Sequence, residues 1–126
     1  MKGDRSTVTR LAKTNPSDVF VPQPVLAEIA YGIARLPRSK RRTRLQERLD
    51  LVRAGIARAE WSDEVSGTFG RIKAALEARG QRLEDFDAAI AAHALAIGAT
   101  LVTANRDPML RVPGLRVEDW SSPGAS

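Results

Sequence analysis

The sequence predicts an α/β fold in which a parallel β-sheet is covered on both faces by helices. Short apolar, β-branched segments such as 99–103 alternate along the chain with longer segments in which apolar residues recur every three to four positions. The chain has 126 residues, of which 43% are hydrophobic and 28% charged, as in a globular protein with one core. We therefore expect a single domain over residues 1–120 and a flexible tail over residues 121–126.

The individual elements follow from local patterns. Helices are predicted where an amphipathic repeat follows a residue that favours a helix start, and Gly80 and Gly98 each end a helix. Strands are predicted where a short apolar run lies between turn residues, and the run at 99–103 should be buried on both faces. The predicted helices cover Arg5–Lys13, Pro24–Arg35, Ser39–Arg53, Ser62–Arg79 and a segment that starts at Asp85. The predicted strands cover Val19–Val21, Ile56–Glu60, Ala99–Thr103 and Leu115–Glu118.

The composition excludes several classes of site. The chain has no cysteine and one histidine, so disulfides, thiolate zinc sites and histidine clusters are excluded, and any metal site must use oxygen ligands. The glycines are scattered and form no phosphate-binding loop, which argues against nucleotide hydrolysis. No apolar run approaches the ~18 residues of a membrane span, and the polar N-terminus lacks a signal-peptide core. These features predict a cytoplasmic protein without membrane contact.

Asp87 is the carboxylate that most needs an explanation. It lies one turn ahead of Ile90, Ala94 and Ile97, which share one face of the predicted helix. Asp85 is the better residue for the helix N-cap, so Asp87 has no evident local role. A carboxylate on an apolar face is costly unless it is paired or binds a cation. The ordinary alternative is a carboxylate that stabilises the helix N-terminus by ~0.3–1 kcal/mol.

Three more polar residues follow the ends of predicted strands, where parallel α/β sheets bind ligands. Glu28 lies in an early turn of the helix after 19–21, and Asn105 and Asp107 follow the strand that ends at Thr103. Each also has an ordinary interpretation, as a helix-start Glu or as turn residues. His93, on the same helix as Asp87, is interpreted as a hydrogen-bonded packing residue rather than a catalytic base.

Four segments resemble the PIN-domain ribonucleases, specifically toxins of the VapC type. They are LAEIAYGI at 26–33, LEARG at 76–80, DAAIAAHALAIGATLVTAN at 87–105 and RVPGLRVEDW at 111–120. Their order and spacing cover almost the whole chain, which implies a PIN-like, Rossmann-like sheet. The family's first strand, with an Asp in an Asp-Thr-Asn type motif, has no counterpart before Met1. We therefore expect a PIN-like domain whose N-terminal strand is missing, and a natural start upstream of Met1.

The resemblance implies Mg²⁺-dependent endonucleolytic cleavage of structured RNA, with Mn²⁺ as a possible substitute. It assigns Asp87 and Glu28 as metal ligands and Asn105 as a further catalytic-site residue, with Asp107 a weaker candidate ligand. It also implies a homodimer, and inhibition by a cognate antitoxin whose helix could use the apolar face of the Pro24–Leu36 helix. The alternatives are a catalytically inactive PIN-like module that binds RNA or antitoxin, and a basic RNA-binding protein without any active site.

The charge distribution favours a polyanionic partner. The net charge is +5 and the isoelectric point is near 10.4. Much of the excess lies in one short segment, for which we predict contacts with the RNA backbone. Its basic residues are Arg38, Lys40, Arg41, Arg42 and Arg44. The alternative is a solvated helix start whose charges are balanced by Glu47 and Asp50.

Overall fold

A computed structural model of the chain describes residues 13–121, except for the side chain of Pro16. The predicted helix at Arg5–Lys13, apart from its last residue, and the tail at 122–126 lie outside the described residues. Within the described residues two compact units are present, one formed by residues 15–60 and the other by residues 61–121 together with residues 13 and 14. They are called the 15–60 unit and the 61–121 unit below.

The 15–60 unit contains one parallel pair of strands and two helices. Its elements are a 3-10 turn at Pro16–Asp18, β1 (Phe20–Pro22), α1 (Gln23–Ala34), α2 (Lys40–Gly55) and β2 (Ala57–Ala59). β1 pairs with β2 in parallel, with Phe20 opposite Ala57 and Pro22 opposite Ala59. All four predicted elements of this unit are confirmed to within two residues at their ends.

The local sequence explains where the two helices begin. Pro24 lies in the first turn of α1, where its fixed φ suits the helix and its missing N–H costs nothing. Ser39 precedes α2, and its Oγ accepts a hydrogen bond from the backbone N–H of Arg42 at 3.1 Å. The two helices bury a common apolar cluster. It consists of Leu26, Ile33 and Leu49, with Val21, Ala30, Leu45 and Val52 packed against it.

The 61–121 unit contains two long helices, one short helix and a second parallel pair of strands. Its elements are α3 (Asp63–Ala78), α4 (Asp85–Ala96), β3 (Leu101–Val102), α5 (Arg106–Met109) and β4 (Val117–Glu118). β3 pairs with β4 in parallel, with Leu101 opposite Val117. The sequence did not predict α5, because a helix of four residues is too short to show a periodic pattern.

Helix α4 is buried more completely than the sequence predicted. The expected single apolar face is wrong, because all seven residues of Ala88–Ala94 are buried whereas Ile97 is 50% exposed. Alanine side chains are short, so neighbouring elements can approach α4 from several directions. Its main partner is α3, which buries a stripe at helical spacing: Val65, Thr68, Ile72 and Leu76.

The strands pair as the sequence predicted, but they are buried less than it predicted. The parallel pairing is confirmed, and the described residues form two separate two-stranded sheets. Burial of the 99–103 strand on both faces is wrong, since Leu101 is 8% exposed and Val102 is 40% exposed. Successive strand residues point to opposite faces, and only the face of Leu101 is covered. Among the described helices, none is long and apolar enough to cross a membrane.

Candidate functional site

Asp87 lies in the first turn of α4 and is half-buried. Among residues 13–121, no donor or cation forms a hydrogen bond or ion pair with its carboxylate. Burial raises the pKa of Asp87, and the negative charge of nearby Glu84 raises it further. The two residues are three positions apart at the helix start, so they lie on one side of it. Asp87 therefore carries a charge that its own surroundings do not balance.

Asp85 has the opposite environment, and its expected role as the helix N-cap is wrong. Glu84 occupies the N-cap position, without a side-chain capping bond, and Asp85 is the first residue of α4. The Asp85 carboxylate accepts a hydrogen bond from Lys73 Nζ on α3 at 2.9 Å. This bond, together with the positive charge of Lys73, lowers the pKa of Asp85. The pair joins residues twelve positions apart, which local sequence patterns could not show.

Asn105 and Asp107 lie at the start of α5, which packs against α4 and β4. Asn105 is at the N-cap position of α5, but its side chain makes no capping bond. Its backbone N–H donates to Thr103 Oγ1 at 3.0 Å, which holds the turn after β3. Asp107 is in the first turn of α5 and is exposed, as is Asn105. The structure thus places both residues on an element that contacts the helix carrying Asp87.

Glu28 is an exposed residue in the second turn of α1, in the 15–60 unit. Asp87, Asn105 and Asp107 belong to the 61–121 unit. Within the described part of the chain, no three His, Cys, Asp or Glu side chains are grouped so that they could hold a metal ion. The donor types nevertheless suit a hard divalent ion, because all four candidate residues offer oxygen.

His93 is not available as a ligand or base, which confirms its interpretation as a packing residue. Its side chain is fully buried, and Nδ1 donates to the backbone carbonyl of Ala89 at 2.8 Å. The imidazole meets the ring of Trp61 edge to face, with 5.3 Å between centroids. Nε2 has no hydrogen-bond partner among the described residues. Trp61 also packs on Phe69, with 5.9 Å between ring centroids.

The predicted RNA-binding residues surround the start of α2. All are exposed except Arg42, which is half-buried. The first turn of α2 contains no acidic residue, and none of these five cations forms an ion pair within residues 13–121. Cations near the positive end of a helix dipole are unfavourable, so this arrangement does not stabilise the helix. A bound anion would offset that cost.

Sequence reasoning missed two residues that determine the environment of the candidate site. Glu84 acts on Asp87, and its spacing of three residues before Asp87 was a readable signal. Lys73 pairs with Asp85, and no signal in the sequence indicates that pairing.

The PIN domain model of known families matches residues 3–115, so the chain belongs to the PIN-domain family. Members of this family are generally nucleases that depend on a divalent metal. Within the family it is of the VapC type. It is 34% identical over 110 residues to Ribonuclease VapC2 of Rickettsia felis, covering 87% of this chain and 78% of that protein. It is 30% identical over 125 residues to the tRNA(fMet)-specific endonuclease VapC of Shigella flexneri, covering 96% and 89%.

Solved structures agree with this assignment. The fold matches VapBC2 from Rickettsia felis bound to a DNA fragment from its promoter with a TM-score of 0.76 and 32% identity, covering 90% of this chain and 82% of that one. It matches DNA-bound VapBC from Salmonella typhimurium with a TM-score of 0.80 and 26% identity, covering 90% and 83%.

Proposed function

We propose that this chain is an endoribonuclease toxin that requires Mg²⁺, for which Mn²⁺ can substitute, and that cleaves structured RNA. The observation that carries the proposal is the half-buried carboxylate of Asp87, which has no partner among residues 13–121, in a chain of the VapC type. A structured substrate is supported by the relative from Shigella flexneri, which is named a tRNA(fMet)-specific endonuclease.

Asp87 is the principal metal ligand in this proposal. Its charge is disfavoured by burial and by Glu84, and a bound cation would offset both effects. The resemblance to the VapC type adds Glu28 and, more weakly, Asp107 as further oxygen ligands, and Asn105 as a further catalytic-site residue. A divalent ion bound by these residues would supply Lewis-acid chemistry at the scissile phosphodiester. The exposed cations at the start of α2 hold phosphates of the same RNA by releasing counterions.

A second candidate function is a module that binds RNA or antitoxin without cutting. It is favoured by one observation, the lack of three grouped metal-ligating side chains among the described residues. Incubation of the purified chain with total RNA in Mg²⁺ or in EDTA separates the two functions. Cleavage that requires Mg²⁺ and falls markedly in Glu28→Gln supports the nuclease. RNA binding without cleavage in Mg²⁺ or Mn²⁺ supports the binding module.

We further propose that an antitoxin helix docks in the groove between α1 and α2. The groove holds a cavity of about 320 Å³. It is lined by Ile29, Gly32, Ile33, Leu45, Arg48, Leu49 and Val52. Arg48, which is exposed, is the one charged residue in this lining and would pair with an acidic residue of the partner helix. The solved VapBC relatives support a partner of this kind.

A bulky side chain at Gly32 tests the groove. A Cβ added at Gly32 meets no atom within 4 Å, so Gly32→Leu should fill the groove without disturbing the core. The product of the adjacent upstream gene should then be captured by the wild type and not by this variant. Gly55→Leu is the matched control, since Gly55 is equally open and lies outside the groove. Equal capture by both variants would disprove docking at this groove. The proposed homodimer is checked by light scattering of the purified chain.

A further inference from the structure

Three arginines form a second basic surface, which belongs to the 61–121 unit, whereas the start of α2 belongs to the 15–60 unit. They are Arg79, Arg82 and Arg111, and all three are exposed. Arg79 follows the last turn of α3, Arg82 lies in the connection to α4, and Arg111 follows α5. We call these residues the arginine surface.

The backbone beneath the arginine surface is fixed by a glycine turn. Gly80 adopts a φ of 69°, which reverses the chain after α3. The N–H of Gln81 then donates to the carbonyl of Leu76 at 2.8 Å, and the N–H of Gly80 donates to that of Glu77 at 3.0 Å. These bonds place Arg79 and Arg82 at the two ends of a defined turn.

Side-chain hydrogen bonds join the two segments of the surface. Arg79 Nη2 donates to the carbonyl oxygen of Arg111 at 3.2 Å, and Arg111 Nη1 donates to that of Arg82 at 2.9 Å. The residues next to two of the arginines are buried: Leu83 is 5% exposed and Val112 is 3% exposed. The backbone that carries the arginines is therefore held in place, and the fold already restricts part of their side-chain freedom, so that less conformational entropy is lost when a ligand binds.

The positive charge of the arginine surface is not balanced within the described residues. None of its guanidinium groups lies within 4.0 Å of a carboxylate there. A guanidinium has five N–H donors, so most remain free after one bond to a carbonyl. Arg82 makes no side-chain hydrogen bond within the described chain and keeps all of them. Free donors in a planar fork suit the paired oxygens of a phosphate.

The arginine surface adjoins the first turn of α4. Arg82 precedes Asp85 by three residues and Asp87 by five. We infer that the sugar-phosphate backbone of the RNA substrate binds along Arg79, Arg82 and Arg111 and passes from there to Asp87. This inference rests on the proposed function, since it assigns a path for the same substrate. The short chain separation between Arg82 and Asp87 favours RNA over an acidic protein, because the phosphates on either side of a cleaved bond lie close to it.

The test measures RNA binding without cleavage. Full-length Asp87→Asn protein in EDTA is titrated with a fluorescently labelled structured RNA over a series of salt concentrations. Arg82→Gln should reduce the slope of log K against log salt by about 0.7, the value for one contact with a single-stranded phosphate. If the variant and the wild type bind equally at about 1 M salt, this change in slope corresponds to an affinity loss of about fivefold at about 0.1 M salt. Arg82 is chosen because its side chain makes no bond that holds the fold.

Two further variants control for charge and geometry. Arg71→Gln removes the same charge from an exposed position of α3 and should leave the slope unchanged. Within the described residues, Arg71 Nη2 bonds to Thr68 Oγ1 of the same helix. Arg82→Lys retains the charge and should keep most of the slope. Equal effects of Arg82→Gln and Arg71→Gln would overturn the inference, because the loss would then reflect net charge alone.

Other results also decide the question. If Arg82→Gln leaves RNA affinity intact but weakens the antitoxin complex, the surface serves an acidic protein and the inference is wrong. Binding is read without a divalent ion, so failure of the proposed cleavage is observed separately in the Mg²⁺ assay.

Discussion

Replacement of Asp87 by Asn should change the stability of the chain very little. The carboxylate has no partner to lose among the described residues, and its burial and the charge of Glu84 both disfavour the ionised form. Removing the charge relieves that cost but gives up a favourable interaction with the N-terminus of α4, worth ~0.3–1 kcal/mol. The two effects oppose each other, so we expect a change in unfolding free energy within about 1 kcal/mol and a shift in Tm of only a few degrees.

The same substitution should abolish cleavage. Loss of a residue that merely orients a metal ligand costs about 10- to 100-fold in metal affinity or activity, and loss of the ligand itself should cost more. Asn retains the shape of Asp and one carbonyl oxygen but lacks the charge that holds a divalent ion. We therefore expect a drop of more than about 100-fold in the rate of RNA cleavage in Mg²⁺, with a nearly unchanged thermal transition.

The assay compares Asp87→Asn with Asp85→Asn. Both substitutions remove one negative charge from the first turn of α4, but Asp85 is exposed and paired with Lys73. Asp85→Asn should keep most of the cleavage activity. Initial cleavage rates are measured over a range of Mg²⁺ concentrations, with circular dichroism melting of each protein. A normal rate for Asp87→Asn, or equal losses for the two variants, would refute the assignment of Asp87 as the ligand.

Three further predictions concern stability. Gly32→Ala should stabilise the chain by about 0.5–1 kcal/mol, whereas Gly98→Ala should destabilise it by about 1–2 kcal/mol. A Cβ has space at both positions, but Gly98 has a φ of 67°, which disfavours alanine. Equal changes in the free energy of urea unfolding would contradict the prediction. Leu76→Ala should cost about 2–5 kcal/mol, since Leu76 is 1% exposed at the α3 and α4 contact, and a loss below 1 kcal/mol would argue against that packing. The two Asp to Asn variants should differ in pH dependence. The lowered pKa of Asp85 stabilises the fold above pH 3.8, and this stabilisation is lost as the pH falls below 3.8, so the stability of Asp85→Asn should fall less steeply in acid than that of the wild type. The raised pKa of Asp87 destabilises the fold increasingly as the pH rises above 3.8, so Asp87→Asn should become more stable relative to the wild type over that range. Urea unfolding profiles of the two variants that run parallel to the wild type between about pH 3 and 6 would refute both predictions.

The sequence alone determined the described helices and strands other than α5, and it indicated the residue most in need of a function. Helices with a recognisable start or stop, such as α2 after Ser39 and α3 before Gly80, were predicted to within two residues. The position of Asp87 in the first turn of a mostly apolar helix could also be inferred, because a helix start is defined by residues within two turns. These features depend on residues that are close together in the chain, and the sequence gives the order of those residues directly.

The tertiary structure decided which charged and buried side chains contact one another across separate elements. Three features depend on contacts between separate elements. They are the ion pair of Lys73 with Asp85, the burial of α4 on all sides, and the hydrogen bonds that connect Arg111 with Arg79 and Arg82. A capping residue acts over three or four positions, but an ion pair or a shared surface depends on how elements pack. The sequence therefore singled out Asp87 as a carboxylate on an apolar helix, and only the packing showed that its neighbour Asp85 has a partner while Asp87 has none among the described residues.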